Sequence, residues 1–81
     1  MRIKVLYFSS IKDKIGMSSE NIEMAENSTV YDLIKLLSEK YPQIKDSLKN
    51  SMFAVNEEYA STEQELKEGD TVAIIPPVSG G

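Results

Sequence analysis

Asp70-Thr-Val-Ala-Ile-Ile-Pro-Pro-Val-Ser-Gly-Gly81 closes the chain and contains its clearest structural signals. The run from Thr71 to Ile75 is apolar and largely β-branched, which is typical of a strand buried inside a sheet. Pro76 and Pro77 then prevent further strand pairing, because proline has no N–H to donate and its φ angle is fixed. The stretch therefore predicts a central strand that continues into a stiff, extended tail without charged side chains.

The tail suggests a function in presenting the carboxylate of Gly81, the only group of this segment able to enter acyl chemistry. Gly80 and Gly81 have no Cβ atom, so their backbone can pass through a narrow channel. A terminal glycine pair alone is weak support, because chain ends are commonly disordered. A proline pair at the exit of a buried strand is more specific. From Pro76 onward the tail spans at most about 20 Å when extended, enough to enter a deep pocket.

Composition limits the remaining function classes. The 81 residues, of which 41% are hydrophobic and 27% charged, predict one small globular domain. The sequence has no cysteine and no histidine, which excludes thiolate chemistry, removes the commonest metal ligand and predicts no metal site. A net charge of −4 without a basic patch argues against nucleic-acid binding. Without a long apolar run or a signal peptide, we expect no membrane association and a cytoplasmic location.

The N-terminal part of the chain predicts a hairpin with a short helical excursion. Residues 2–9 alternate and then become wholly apolar, which indicates a second buried strand. One face of this strand consists of Ile3, Val5 and Tyr7, and the other of Leu6 and Phe8. In the following turns, Ser10 and Asp13 have capping-box spacing and Gly16 suits a left-handed end. Residues 20–24 predict a strand antiparallel to the first.

The middle of the chain contains the clearest helix signal. Thr29 and Asp32 again have capping-box spacing, and Pro42 ends the helical pattern. The apolar positions between them form a single stripe, which we interpret as core. The stripe comprises Val30, Leu33, Ile34, Leu37 and Tyr41. Ile44 and Leu48 predict a further short helical turn.

The remaining segments complete a sheet. Residues 52–55 and 59–60 predict two strands joined by a tight polar turn, and residues 61–68 a surface loop anchored by Leu66. The first and last strands are the most apolar, so they are expected to lie parallel at the centre. This is the β-grasp arrangement of ubiquitin, an α+β fold with a mixed sheet of about five strands and one main crossover helix. We predict a β-grasp domain over residues 1–75 and an extended tail over residues 76–81.

The chain resembles the small subunits of molybdopterin synthase, within the ubiquitin-like sulfur-carrier proteins (the MoaD/ThiS family). The resemblance rests above all on Pro76-Pro-Val-Ser-Gly-Gly81. It is supported by Val5-Leu-Tyr-Phe8, by Phe53-Ala-Val-Asn56 and by Glu68-Gly-Asp70. The family typically has an aromatic residue at the position of Ile75.

The resemblance implies a carrier rather than an enzyme in its own right. A ubiquitin-activating-type adenylyltransferase would use ATP to convert Gly81 into an acyl-adenylate, and a sulfur donor protein would convert that into a thiocarboxylate. The tail would insert into the large subunit of a heterotetrameric synthase and transfer sulfur to a cyclic pyranopterin phosphate. No cofactor would be bound by the chain itself. The inserted residues would be Pro76, Pro77, Val78, Ser79 and Gly80.

Two further interpretations concern partners. Phe8 and Ile75 are apolar beyond the need of one core face, so we predict that they lie on the docking surface for the activating enzyme and the large subunit. The alternatives to a molybdopterin carrier are a sulfur carrier for thiazole or tRNA thiolation, a ubiquitin-like protein modifier, or a binding module.

Overall fold

The computed structural model describes residues 1–77, which form a five-stranded mixed sheet and three α-helices. The elements in chain order are β1 (Arg2–Tyr7), α1 (Ser9–Ile15), β2 (Ser19–Glu23), α2 (Val30–Lys40), a 3₁₀ turn (Pro42–Ile44), α3 (Lys45–Lys49), β3 (Met52–Val55), β4 (Glu58–Ala60) and β5 (Thr71–Ile75). The strand order is β2-β1-β5-β3-β4, with β1 and β5 parallel and the other neighbours antiparallel. The predicted β-grasp fold is confirmed. No helix within residues 1–77 is long and apolar enough to cross a membrane.

The parallel pair of β1 and β5 lies at the heart of the sheet. Val5 pairs with Val72 and Tyr7 with Ile74, and all four side chains are buried. The prediction that the first and last strands lie side by side is therefore confirmed. Because β5 lies between β1 and β3, its β-branched side chains pack beside those of a neighbouring strand on each side.

The connection from β1 to β2 differs from the prediction at its start. The proposed capping box of Ser10 and Asp13 is wrong, because α1 begins at Ser9 and no side chain caps it. The chain turns sharply at Ser9, whose φ angle is 49°, so Ser10 already lies inside the helix. The end of α1 is as predicted: Gly16 adopts a left-handed φ of 87°, and its N–H donates a 2.8 Å hydrogen bond to the Lys12 carbonyl.

Helix α2 begins with the predicted capping box. The Asp32 N–H donates to Oγ1 of Thr29 over 3.3 Å, and the Thr29 N–H donates to Oδ2 of Asp32 over 2.9 Å. The predicted apolar stripe faces the sheet, with Val30, Leu33 and Leu37 fully buried. Helix α2 therefore covers one face of the sheet through the side chains that its periodicity indicates.

The loop between β4 and β5 supports the start of α2. The Val30 N–H donates to the Gln64 carbonyl over 3.0 Å, which satisfies a donor that has no partner inside the helix. The Leu66 N–H donates to the Ser28 carbonyl over 2.8 Å, and the Leu66 side chain is fully buried. This confirms Leu66 as the anchor of the loop.

Candidate functional site

The sheet face opposite α2 is apolar across four strands. Successive side chains of a strand point to opposite faces of the sheet. Tyr7 and Ile74 are buried beneath the helices, so the residues before and after them along the chain face the open side. Register then places Leu6, Ala73, Ala54 and Tyr59 in one row from β1 to β4. Two small side chains thus stand between two large ones. The row forms the floor and walls of a groove.

The groove has a volume of about 610 Å³ and opens to solvent. Its apolar lining consists of Leu6, Phe8, Ala54, Tyr59, Ala73 and Ile75. Its polar lining consists of Ser9, Asn56, Glu57 and Thr71. Such a concave, mostly apolar surface with a few polar groups at its rim is suited to binding apolar side chains of another protein.

The two predicted docking residues both line this groove. The side chain of Phe8 is 44% exposed, so it is accessible to a partner and is not part of the buried core. Its carbonyl accepts hydrogen bonds of 3.2 Å from the N–H groups of Ile11 and Lys12, which fixes the backbone of Phe8 at the start of α1. Ile75 is partly buried at the end of β5, where it pairs with Met52. The structure thus brings Phe8 and Ile75 together, and their docking role stays a prediction.

Sequence reasoning missed the far wall of the groove. Tyr59 is 71% exposed and Met52 is 53% exposed, and both belong to the open face. The signal was present in the two-residue turn after Val55, because a hairpin of that length places Tyr59 opposite Ala54. That register could have been derived once the turn length was known.

The predicted tail begins where β5 ends beside the groove. Pro76 is buried and Pro77 is exposed, so packing of the domain continues one residue beyond the strand. The domain boundary after residue 75 stays a prediction. Val78, Ser79 and Gly80, predicted to insert into a partner, and Gly81, predicted to carry the acyl chemistry, lie outside the described residues.

A polar cluster on the helix side holds the end of β1 against α2. The Glu20 carboxylate accepts hydrogen bonds from the hydroxyls of Tyr7 (2.6 Å) and Tyr41 (2.7 Å) and from Nζ of Lys40 (2.8 Å). The two tyrosine rings also meet edge to face, with centroids 6.5 Å apart. The cluster thereby fixes the end of β1, which Phe8 follows directly. No sequence pattern indicated it, because its members come from three separate elements.

The cluster changes the pKa values of its members. Burial alone would raise the pKa of Glu20, but the hydrogen bonds from Lys40, Tyr7 and Tyr41 outweigh it and lower that pKa. Burial and then the Glu20 hydrogen bond raise the pKa of the Tyr7 hydroxyl well above its usual range. Glu20 is therefore an anion and Tyr7 a neutral donor at neutral pH. Within residues 1–77 no group of acidic side chains is arranged to hold a metal ion.

Comparison with known proteins identifies the family. The ThiS family model matches residues 5–81. The chain is 45% identical over 83 aligned residues to the molybdopterin synthase sulfur carrier subunit of Dictyostelium discoideum, across 99% of this chain and 96% of that protein. Its structure is similar to molybdopterin converting factor subunit 1 of Pyrococcus furiosus, with a TM-score of 0.87 and 32% identity over 96% and 99% of the two chains.

A further similar structure contains a second subunit. It is the protein–protein complex of subunits 1 and 2 of the molybdopterin-converting factor from Helicobacter pylori. The matching chain has a TM-score of 0.74 and 28% identity, and the match covers 100% of both chains. On the matched family model and the identity to its relatives, the chain belongs to the ThiS family, together with the molybdopterin synthase sulfur carrier subunits.

Proposed function

We propose that this chain is the sulfur-carrier subunit of a molybdopterin synthase, and that Gly81 carries the sulfur. The observation that supports this best is the position of the groove beside the end of β5. The strand that leads into Pro76 and Pro77 also contributes Ile75 to the groove wall. A partner bound in the groove would therefore lie next to the origin of the tail.

The proposed chemistry takes place in three steps at the terminal carboxyl group of Gly81. A carboxylate oxygen attacks the α-phosphorus of ATP on the activating enzyme, and pyrophosphate leaves. The sulfur of a donor persulfide then attacks the acyl carbon, and AMP leaves. A second thiol cleaves the resulting S–S bond, which gives the thiocarboxylate and a disulfide. Gly80 and Gly81 suit these attacks because no Cβ atom shields the acyl carbon.

The proposal includes the partners that this chemistry needs. An adenylyltransferase of the ubiquitin-activating type supplies the ATP site, and a sulfur donor protein supplies the persulfide. The large subunit takes up the tail that begins at Pro76, with Pro76 itself packed at its origin, and contributes the groups that transfer sulfur from Gly81 to a cyclic pyranopterin phosphate. The chain binds no cofactor in this scheme, is not an enzyme alone, and acts in the cytoplasm as part of a heterotetramer.

Pro76 and Pro77 restrict the conformations of the tail before insertion, which reduces the conformational entropy lost on binding.

The names of the relatives distinguish this proposal from the alternatives. The Dictyostelium relative is named for molybdopterin synthase, which favours that synthase over thiazole formation, tRNA thiolation or protein modification. Accurate mass measurement of the chain purified from cells tests the proposal. We expect a fraction in which one oxygen of the Gly81 carboxylate is replaced by sulfur. Isopeptide-linked conjugates without that product would instead support a protein modifier.

A further inference from the structure

The turn between β3 and β4 places a glutamate in a backbone conformation that favours glycine. Val55 and Glu58 are register partners, so Asn56 and Glu57 alone form the turn. Their φ angles are 51° and 72°. Two-residue hairpin turns with both φ angles positive favour Asn followed by Gly, because a Cβ atom is strained in the left-handed region. Asn56 fits this preference, whereas Glu57 occupies the glycine position at a cost in stability.

Surrounding hydrogen bonds hold the turn in this conformation. Oδ1 of Asn56 accepts from the Thr71 N–H over 3.0 Å, and Nδ2 of Asn56 donates to Oδ1 of Asp70 over 2.9 Å. The Asn56 N–H donates to the Thr71 carbonyl over 2.8 Å. These contacts tie the turn to the start of β5. Backbone strain that is over-determined in this way concentrates at functional sites.

Glu57 also differs from every other residue of the groove in its charge. It is the one charged side chain among the lining residues within positions 1–77. It is exposed, and none of the ion pairs described for that part of the chain includes it. An apolar groove with a single anion at its rim is complementary to a surface in which one basic side chain stands among apolar ones.

We propose that Glu57 determines the specificity of the groove by forming an ion pair with a lysine or arginine of the large subunit. This inference rests on the proposed function, which supplies the partner. The strained turn keeps the carboxylate at the rim, where it attracts a basic group and repels an acidic one. The apolar residues of the groove contribute contact area, and Glu57 contributes the choice of partner.

Calorimetric titration of the full chain with the large subunit, at low and at high salt, tests this role. Glu57→Gln should weaken binding about two- to fivefold at low salt, the range of an exposed ion pair, and should reduce the salt dependence. Glu57→Lys should weaken binding further, because two cations then meet. Glu58→Gln is the matched control, since it removes the same charge one residue away, at an exposed position outside the groove. It should bind as the wild type does.

Glu57→Gly removes both the charge and the backbone strain, whereas Glu57→Gln removes the charge alone, so the two variants together separate these effects. Glu57→Gly should melt at or above the wild-type temperature and yet bind as weakly as Glu57→Gln, whereas a lower melting temperature would contradict the strain argument. Wild-type affinity and salt dependence in Glu57→Gln would overturn the assignment of Glu57 and leave the proposed function intact. Equal weakening by Glu58→Gln would also overturn it, by showing an effect of net charge alone. Failure of the wild-type chain to bind would contradict the proposed function itself.

Discussion

Leu6 and Tyr59 lie in a single row that runs from β1 to β4, separated only by Ala73 and Ala54. The depth of the groove therefore depends on two side chains that are each a single methyl group. Ala73→Leu should fill the groove and weaken binding of the large subunit by about 2 kcal/mol, or roughly thirtyfold. Because Ala73 faces away from the helices, the variant should keep a melting temperature close to that of the wild type. Unchanged affinity, measured by calorimetry, would show that the partner binds elsewhere.

Phe8 should act as an anchor of the same surface. Aromatic residues at the centre of an interface commonly contribute about 2 kcal/mol or more. Phe8→Asp should therefore weaken complex formation more than it lowers the free energy of unfolding. Tyr31→Asp is a suitable control, because Tyr31 is a 55% exposed aromatic residue on α2, on the covered side of the sheet. Comparable losses of affinity in the two variants would contradict the assignment of the groove.

The sequence was sufficient for the main elements because their signals are local or periodic. The β-branched run of β5, the capping box at Thr29 and the left-handed Gly16 each depend on a few neighbouring residues. The groove was predicted only in part, since Phe8 and Ile75 stood out as surplus apolar residues and Tyr59 did not. Its position depends on strand register, which needs the exact turn length.

The Glu20 cluster could not be predicted, because its hydrogen bonds join residues that are 13 and 21 positions apart in the sequence.

The importance of the Glu20 cluster for stability can be measured. Glu20→Ala leaves the buried Tyr7 hydroxyl without this acceptor, which should cost about 1–3 kcal/mol. The melting temperature should fall by roughly 4–8 °C for each kcal/mol. Glu23→Ala in the same strand is the control and should change stability by no more than about 0.5 kcal/mol, since Glu23 is 71% exposed.

The same cluster predicts a dependence of stability on pH. The pKa of Glu20 is lower in the folded state, because hydrogen bonds from Lys40, Tyr7 and Tyr41 outweigh the opposing effect of burial. The folded state thus binds fewer protons in this range, and its stability falls as the pH falls. The contribution is present above about pH 4.3, the ordinary glutamate value, and is lost as the pH falls through the folded pKa. Urea unfolding should show a shallower acid loss for Glu20→Gln, and an identical loss would exclude Glu20 as its source.

The two prolines at the exit of β5 should have different roles. Pro76 is buried, so Pro76→Ala should lower the melting temperature. Pro77 is exposed, and Pro77→Ala should leave the melting temperature unchanged. It should weaken binding to the large subunit about two- to fivefold, because a proline restricts the chain by roughly 0.4–1 kcal/mol before binding. Thermal unfolding and calorimetry of both variants test this division, and a destabilised Pro77→Ala would contradict it.

The central claim is that the acyl carbon of Gly81 is the reactive centre. ATP–pyrophosphate exchange by the activating enzyme tests it most directly, with the wild-type chain, a variant lacking Gly81 and a variant with one alanine added after Gly81. Deletion shortens the tail by about 3.5 Å, and a misplacement of about 1 Å can cost about a hundredfold in rate. We expect exchange with the wild type and at least a hundredfold less with either variant, while all three remain folded by thermal unfolding. Full exchange activity from either variant would contradict the carrier mechanism.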